Sequence, residues 1–190
     1  VGKEGVSLSG NYIYNGESRI IAENGPLTMQ ARGSIDNARS LLVSGGDASI
    51  KAGSTLTNNY ATIYSMGDLL IDANSVSNYS NGALEDNNAT GVIAADKKLT
   101  MNVKNSFTNY GWISSLGDAI LNILNGSLTN RNTLSAEKSL TVSAQTGVEN
   151  LKDIAAGEHL VVNSQRGVTN NSNSNMVGDK VTISAVYDIN

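Results

Sequence analysis

Carboxylates return beside glycine along this chain, in Gly46-Asp47, Gly67-Asp68, Gly117-Asp118, Gly157-Glu158 and Gly178-Asp179. A carboxylate held on a glycine turn can serve as a general acid, a nucleophile or a calcium ligand. Acid–base catalysis needs one group positioned against a substrate with a perturbed pKa. A series spread over the chain answers the need of a turn instead. Calcium-binding β-rolls carry GGxGxD nonapeptides, and none is present despite Gly45-Gly46-Asp47. His159 is the only histidine; it has no second histidine for a metal and no adjacent nucleophile. There is no cysteine, which excludes disulfides, thiolate nucleophiles and thiolate zinc sites. The sequence therefore predicts no catalytic residue, no metal and no cofactor. Sequons such as Asn88-Ala89-Thr90 carry no weight in so asparagine-rich a chain.

The elements that carry these residues follow from composition and period. The formal net charge is -4 over 190 residues, with no basic cluster to meet phosphates, so nucleic acid is not an expected partner. No apolar run approaches the roughly 20 residues of a membrane helix, and no membrane insertion is expected. The chain opens at VGKEG without a leader, as an internal fragment would. One proline, 19 glycines, 16% charged and 5% aromatic residues leave room for short aliphatic alternations between Asn- and Gly-rich turns. That pattern reads as many short strands.

The alternations repeat. Val6-x-Leu8-x-Gly10, Leu27-x-Met29-x-Ala31, Ala48-x-Ile50-x-Ala52, Leu69-x-Ile71-x-Ala73 and Leu99-x-Met101-x-Val103 share one pattern. Leu140-x-Val142-x-Ala144, Leu160-x-Val162-x-Ser164 and Val181-x-Ile183-x-Ala185 continue it, while Ile120-x-Asn122-x-Leu124 fits with a polar centre. Consecutive starts lie 20 or 21 residues apart, except for one interval of 30 between Leu69 and Leu99. An apolar residue, any residue and then Asn recur in the same phase, ending at Asn37, Asn58, Asn78, Asn109, Asn130, Asn150 and Asn170. The Gly-Asp pairs are a third marker with that period.

Three strand-like pieces in about 20 residues predict one coil of a parallel β-helix per repeat. The expected fold is all-β, a right-handed solenoid of about nine coils over residues 1–190, roughly 40 to 45 Å long at about 4.8 Å per coil. Leucine-rich repeats share the length but not the motif, and helix-forming stretches are missing. The Asn series has a structural role in such a coil. Asn tolerates tight bends, and in register its amide can bond the Asn of the next coil as an internal ladder. A ligand-binding row of amides is the functional alternative, and the ladder explains the regular recurrence more simply.

The pattern L-x-[LIV]-x-A-x-x-x-[LV]-x-N followed by [IL]-x-[SA]-x-G-[DE] resembles the haemagglutinin repeat of the filamentous haemagglutinin family. These are two-partner-secreted exoproteins: adhesins, haemolysins and contact-dependent growth inhibition proteins. The resemblance runs from about Val6 to the end. It implies a right-handed β-helical shaft segment, secreted to the surface of a Gram-negative bacterium through an outer-membrane partner transporter. With no catalytic constellation in the sequence, the expected role is non-enzymatic: adhesion or contact-dependent delivery by projecting functional regions from the cell. No N-terminal secretion domain or C-terminal toxin module is recognisable, so an internal segment is expected.

Two features depart from the repeat. The long interval places an inserted loop at 79–91 between coils, within YSNGALEDNNATG, with Leu84 flanked by Glu85 and Asp86. Insertions in solenoids become surface loops, often on the binding face, though long loops also cost little entropy. Tyr60, Tyr79, Tyr110 and Trp112 follow successive Asn markers and suggest an aromatic row. Such a row suits contact with a receptor or glycan on a host or neighbouring cell; corner shielding is the plainer reading, since Arg131, Leu151 and Asn171 do not extend it with rings. Direct binding through Tyr79, Leu84, Glu85, Asp86, Tyr110 and Trp112 is thus the alternative function, and a carbohydrate-active β-helix is the enzymatic one.

Overall fold

The computed structural model describes residues 1–79 and 91–190. Among these the chain forms strands, bridges and turns, without a helix. Every strand pair is parallel, and each strand's partner lies about one repeat away in sequence. The result is a right-handed β-solenoid.

The long sheet stacks Val6–Gly10, Leu27–Ala31, Ala48–Thr57, Leu69–Ser77, Leu99–Val103, Ala119–Ile123, Leu140–Ala144, His159–Ser164 and Lys180–Ala185 in that order. These nine strands are eight coil-to-coil steps, or about 38 Å at a strand spacing of about 4.8 Å. A second sheet stacks Arg19–Ala22, Leu41–Ser44, Thr62–Ser65, Val92–Ala95, Trp112–Ser115, Thr133–Ala136, Asp153–Ala156 and Asn175–Val177. The third face holds Phe107–Asn109, Ser127–Asn130, Gly147–Asn150 and Val168–Asn170. In the coils before the long interval, that third piece runs on from the long sheet: Thr55 to Thr57 pair with Ser75 to Ser77 after an irregularity near Ala52. The coils flanking residues 80–90 stack directly, Leu69 on Leu99 and Ile63 on Ile93.

Burial follows the pleat, with alternate side chains inward. Met29, Ile50, Ile71, Met101, Leu121, Val142 and Val162 form one inward column, each at most 2% exposed. Leu42, Ile63, Ile93, Ile113, Leu134 and Ile154 form the facing column from the second sheet. Burying one such side chain contributes roughly 1.5–3 kcal/mol, and each also packs on its copies above and below. This column arrangement makes a long, thin and mainly aliphatic core, with Phe107 the one wholly buried aromatic among the described residues.

The register corrects one reading of the repeat. Ala119, Leu121 and Ile123 are the inward residues of their coil, paired with Leu99, Met101 and Val103. Ile120, Asn122 and Leu124 therefore point outward, and the interval before this coil is shorter by one residue than the apolar alternation implies. Both faces of AILNIL are apolar enough to mask the phase. The inward set here is small-large-large where its neighbours Leu99 and Leu140 begin large, a redistribution of volume within one core layer.

The turn into the long sheet is corrected as well. Asp47, Asp68 and Asp118 immediately precede their strand-opening positions Ala48, Leu69 and Ala119. Before Leu160 and Val181 that place belongs to His159 and Lys180, so Glu158 and Asp179 sit one residue earlier. Lys98 and Ser139 occupy it in two further coils. Gly117 enables the close packing of this corner: a Cβ there would collide with the carbonyl oxygen of Lys97 in the preceding coil.

Candidate functional site

Two axial constructions stand out beside the core, an internal amide ladder and a stacked corner. The ladder begins at Asn15, which precedes the first residue expected in it. Each Asn donates from Nδ2 to Oδ1 of the Asn in the next coil: Asn15 to Asn37 at 2.8 Å, Asn37 to Asn58 at 2.9 Å, Asn58 to Asn78 at 3.0 Å. The series goes on from Asn78 to Asn109 at 3.2 Å, Asn109 to Asn130 at 3.0 Å, Asn130 to Asn150 at 3.0 Å and Asn150 to Asn170 at 2.8 Å. The second amide proton goes to a main-chain carbonyl of the following coil, such as Thr62, Val92, Thr133 and Asp153. Asn37, Asn58, Asn109, Asn130 and Asn150 have no exposed surface. Their amides are spent inside the rod, with all dipoles aligned. A row so occupied offers no group to a ligand. The signal for Asn15 was present in Ile13-Tyr14-Asn15, whose apolar residue also opens the marker elsewhere.

The Gly-Asp turns are stitched in the same direction. Asp47 Oδ1 accepts the main-chain N–H of Asp68 at 2.9 Å, Asp68 Oδ1 that of Lys98 at 3.2 Å, and Asp118 Oδ1 that of Ser139 at 3.2 Å. Each carboxylate thus satisfies a donor of the next turn. Ser44 and Ser65, buried at the end of the second sheet, donate to main-chain oxygens of Gly25 and Gly46. His159 is exposed at the start of its strand. Among the described residues no three metal-ligating side chains cluster.

The corner after the ladder holds a second column. Tyr60 meets Tyr79 edge-on with centroids 5.7 Å apart, and Tyr79 meets Tyr110 at 5.2 Å with planes tilted 58°. The Arg131 guanidinium continues this stack, 5.8 Å from the Tyr110 centroid. Sequence reasoning broke the row at Arg131 because it looked for rings; a guanidinium over a ring face extends it by cation–π attraction. In the two coils before Tyr60 the same corner carries the Glu17–Arg39 ion pair at 3.4 Å. Glu17, Arg39 and Tyr60 all take left-handed φ, 54°, 54° and 55°, so the turn is built alike in these three coils. Trp112 does not belong to the column. It opens a strand of the second sheet beside Val92 and is 53% exposed. Tyr79 lies between two rings and keeps 38% exposure, Tyr110 40%. Leu84, Glu85 and Asp86 lie outside the described residues.

A rod of stacked coils with an interior of aliphatic columns and amide ladders is the architecture of a structural repeat protein. The sequence profile of the haemagglutinin repeat matches residues 15–82, 65–132 and 121–185, and the chain belongs to that family. The repeat and the β-helix together are those of the structural shaft of two-partner-secretion exoproteins, which are secreted cell-surface proteins exported through an outer-membrane transporter. No curated protein and no solved structure matches the chain. No helix among the described residues is long and apolar enough to cross a membrane.

Proposed function

We propose that this chain is an internal shaft segment that serves adhesion or contact-dependent delivery mechanically, holding functional regions of its exoprotein away from the cell. The observation that supports this is the unbroken run of seven Asn-to-Asn bonds through the rod, across the long interval included. Such a ladder, with the aliphatic columns, resists bending and uses up the groups that a catalytic or binding row would present. The Asn residues from Asn37 to Asn170 are in this reading stiffening elements rather than a site.

A second reading is favoured by one feature. The half-exposed rings of Tyr79 and Tyr110 stand where the insertion leaves the coil, and could meet a receptor or glycan together with Leu84, Glu85 and Asp86. Deleting residues 80–90 from the exoprotein and measuring attachment to target cells separates the two. Attachment that persists supports the shaft; attachment lost while secretion is normal supports direct contact. Polysaccharide turnover abolished by an acidic substitution would overturn both.

A further inference from the structure

The concave corner where the long sheet turns away carries a groove along the rod axis. Over the four C-terminal coils it encloses about 470 Å³. Its walls are Asn122, Ser143, Asn163 and Ser184, one outward side chain per coil, facing Gln145 and Gln165 of the following turns. Leu124 and Val186 close it at either end. Toward the N-terminus the concavity continues past Leu124 but changes character, because Lys51, Asp72 and Lys104 line it there. The two stretches also differ in how their polar groups are used. Lys51 lies 3.9 Å from Asp72, Asn102 donates to Asp72 at 2.6 Å, and Asn122 donates to Asn102 at 2.9 Å. This chain of bonds stops at Asn122. Beyond it the polar side chains of the walls are carboxamides and hydroxyls, without a charge.

We propose that the groove of Asn122, Ser143, Gln145, Asn163, Gln165 and Ser184 binds a neutral linear polysaccharide laid parallel to the rod axis. Carboxamides donate and accept at once, and hydroxyls do the same, so together they match the mixed donors and acceptors of sugar hydroxyls. An anionic polymer would lack a cation here. An extended peptide would add to a free strand edge, yet the main chain of these coils is already bonded coil to coil. The groove's side chains repeat at about 4.8 Å, close to the length of one pyranose, so successive sugars meet equivalent groups.

The test uses the chain as it stands, titrated by calorimetry with cellohexaose, maltohexaose and xylohexaose as neutral probes and hexagalacturonate as the acidic one. The expected result is that at least one neutral hexasaccharide binds, and that Asn163→Ala with Gln165→Ala weakens it about tenfold or more, a loss of about 1.4 kcal/mol. Both side chains point outward, and an unchanged melting transition of the double variant shows that the coil is intact. Lys51→Ala with Lys104→Ala should leave neutral binding unchanged. The proposal is overturned if no neutral probe binds, if only hexagalacturonate does, or if binding is indifferent to Asn163 and Gln165.

Discussion

At the level of single residues, the ladder turns a common amino acid into a position-specific one. Asn109 receives the amide of Asn78 and donates to both Asn130 and the carbonyl of Thr133. Asn109→Ala removes the acceptor of the buried Gly111 N–H and the donor to the buried Asn130 Oδ1, and each such loss costs about 1–3 kcal/mol. Urea unfolding should show a loss of about 2–5 kcal/mol, against less than about 0.5 for Asn125→Ala on the exposed turn. A smaller loss at Asn109 would mean that water or a neighbour replaces the amide. Arg39 offers the opposite case. Its left-handed backbone strains a side chain with a Cβ, while its ion pair with Glu17 is 70% exposed and contributes little. Arg39→Gly should therefore raise stability, by about 0.5–1 kcal/mol, readable as a higher urea midpoint at unchanged slope.

At the level of elements, strand pairing brings groups together that no local reading connects. Tyr64, in Thr62–Ser65, donates from Oη to Asp96 Oδ2 at 2.6 Å in the next coil, across the long interval. That hydrogen bond first, then burial and the carboxylate's charge, raise the tyrosine pKa above its usual value. The neutral phenol is thus favoured in the folded state. Its contribution is fully present below the unfolded-state pKa near 10 and is lost as pH rises through the higher folded value. The stability gap between the native chain and Tyr64→Phe should close above about pH 10 in urea titrations; a gap that stays constant would show that the phenol keeps its proton partner for another reason.

The same pairing explains what was legible. The 20–21-residue period, three strands per coil and the Asn column could be read off, because identical columns require identical residues. Four things could not. Ile120 and Leu124 are apolar but outward, so AILNIL carries two phases, and only its partner Leu99–Val103 decides between them. Glu158 and Asp179 follow glycine like Asp68 but stand one residue earlier, because one more residue separates them from the strand. Arg131 joins the tyrosine column through a ring face, which composition does not reveal. Asn122, Gln145, Asn163 and Gln165 escaped notice because outward polar residues look like ordinary surface until the turn folds them into a groove.

At the level of the whole molecule, each coil touches mainly its two neighbours, so stability is a sum over coils and interfaces rather than a property of one closed core. Whole coils should then be removable and fractions of coils not. Leu140 and Leu160 are register partners, as are Ala144 and Ser164, so residues 140–159 make one complete turn of the rod. Their deletion joins Ser139 to Leu160. It brings Leu160 onto Ala119, Val162 onto Leu121 and Asn170 onto Asn130, each where its equivalent stood before. Core columns, amide ladder and turn all remain in phase. Removing only residues 140–149 instead leaves half a coil, which sets the second sheet's Ile154 against the long sheet's position and takes the ladder's next Asn out of line. The first deletion should keep the far-ultraviolet β signature and a cooperative melt a few degrees lower; the second should melt without cooperativity and be cut by protease throughout the C-terminal half. Equal tolerance of both would mean that the coils hold together without register, and equal loss would mean that the rod is one indivisible unit.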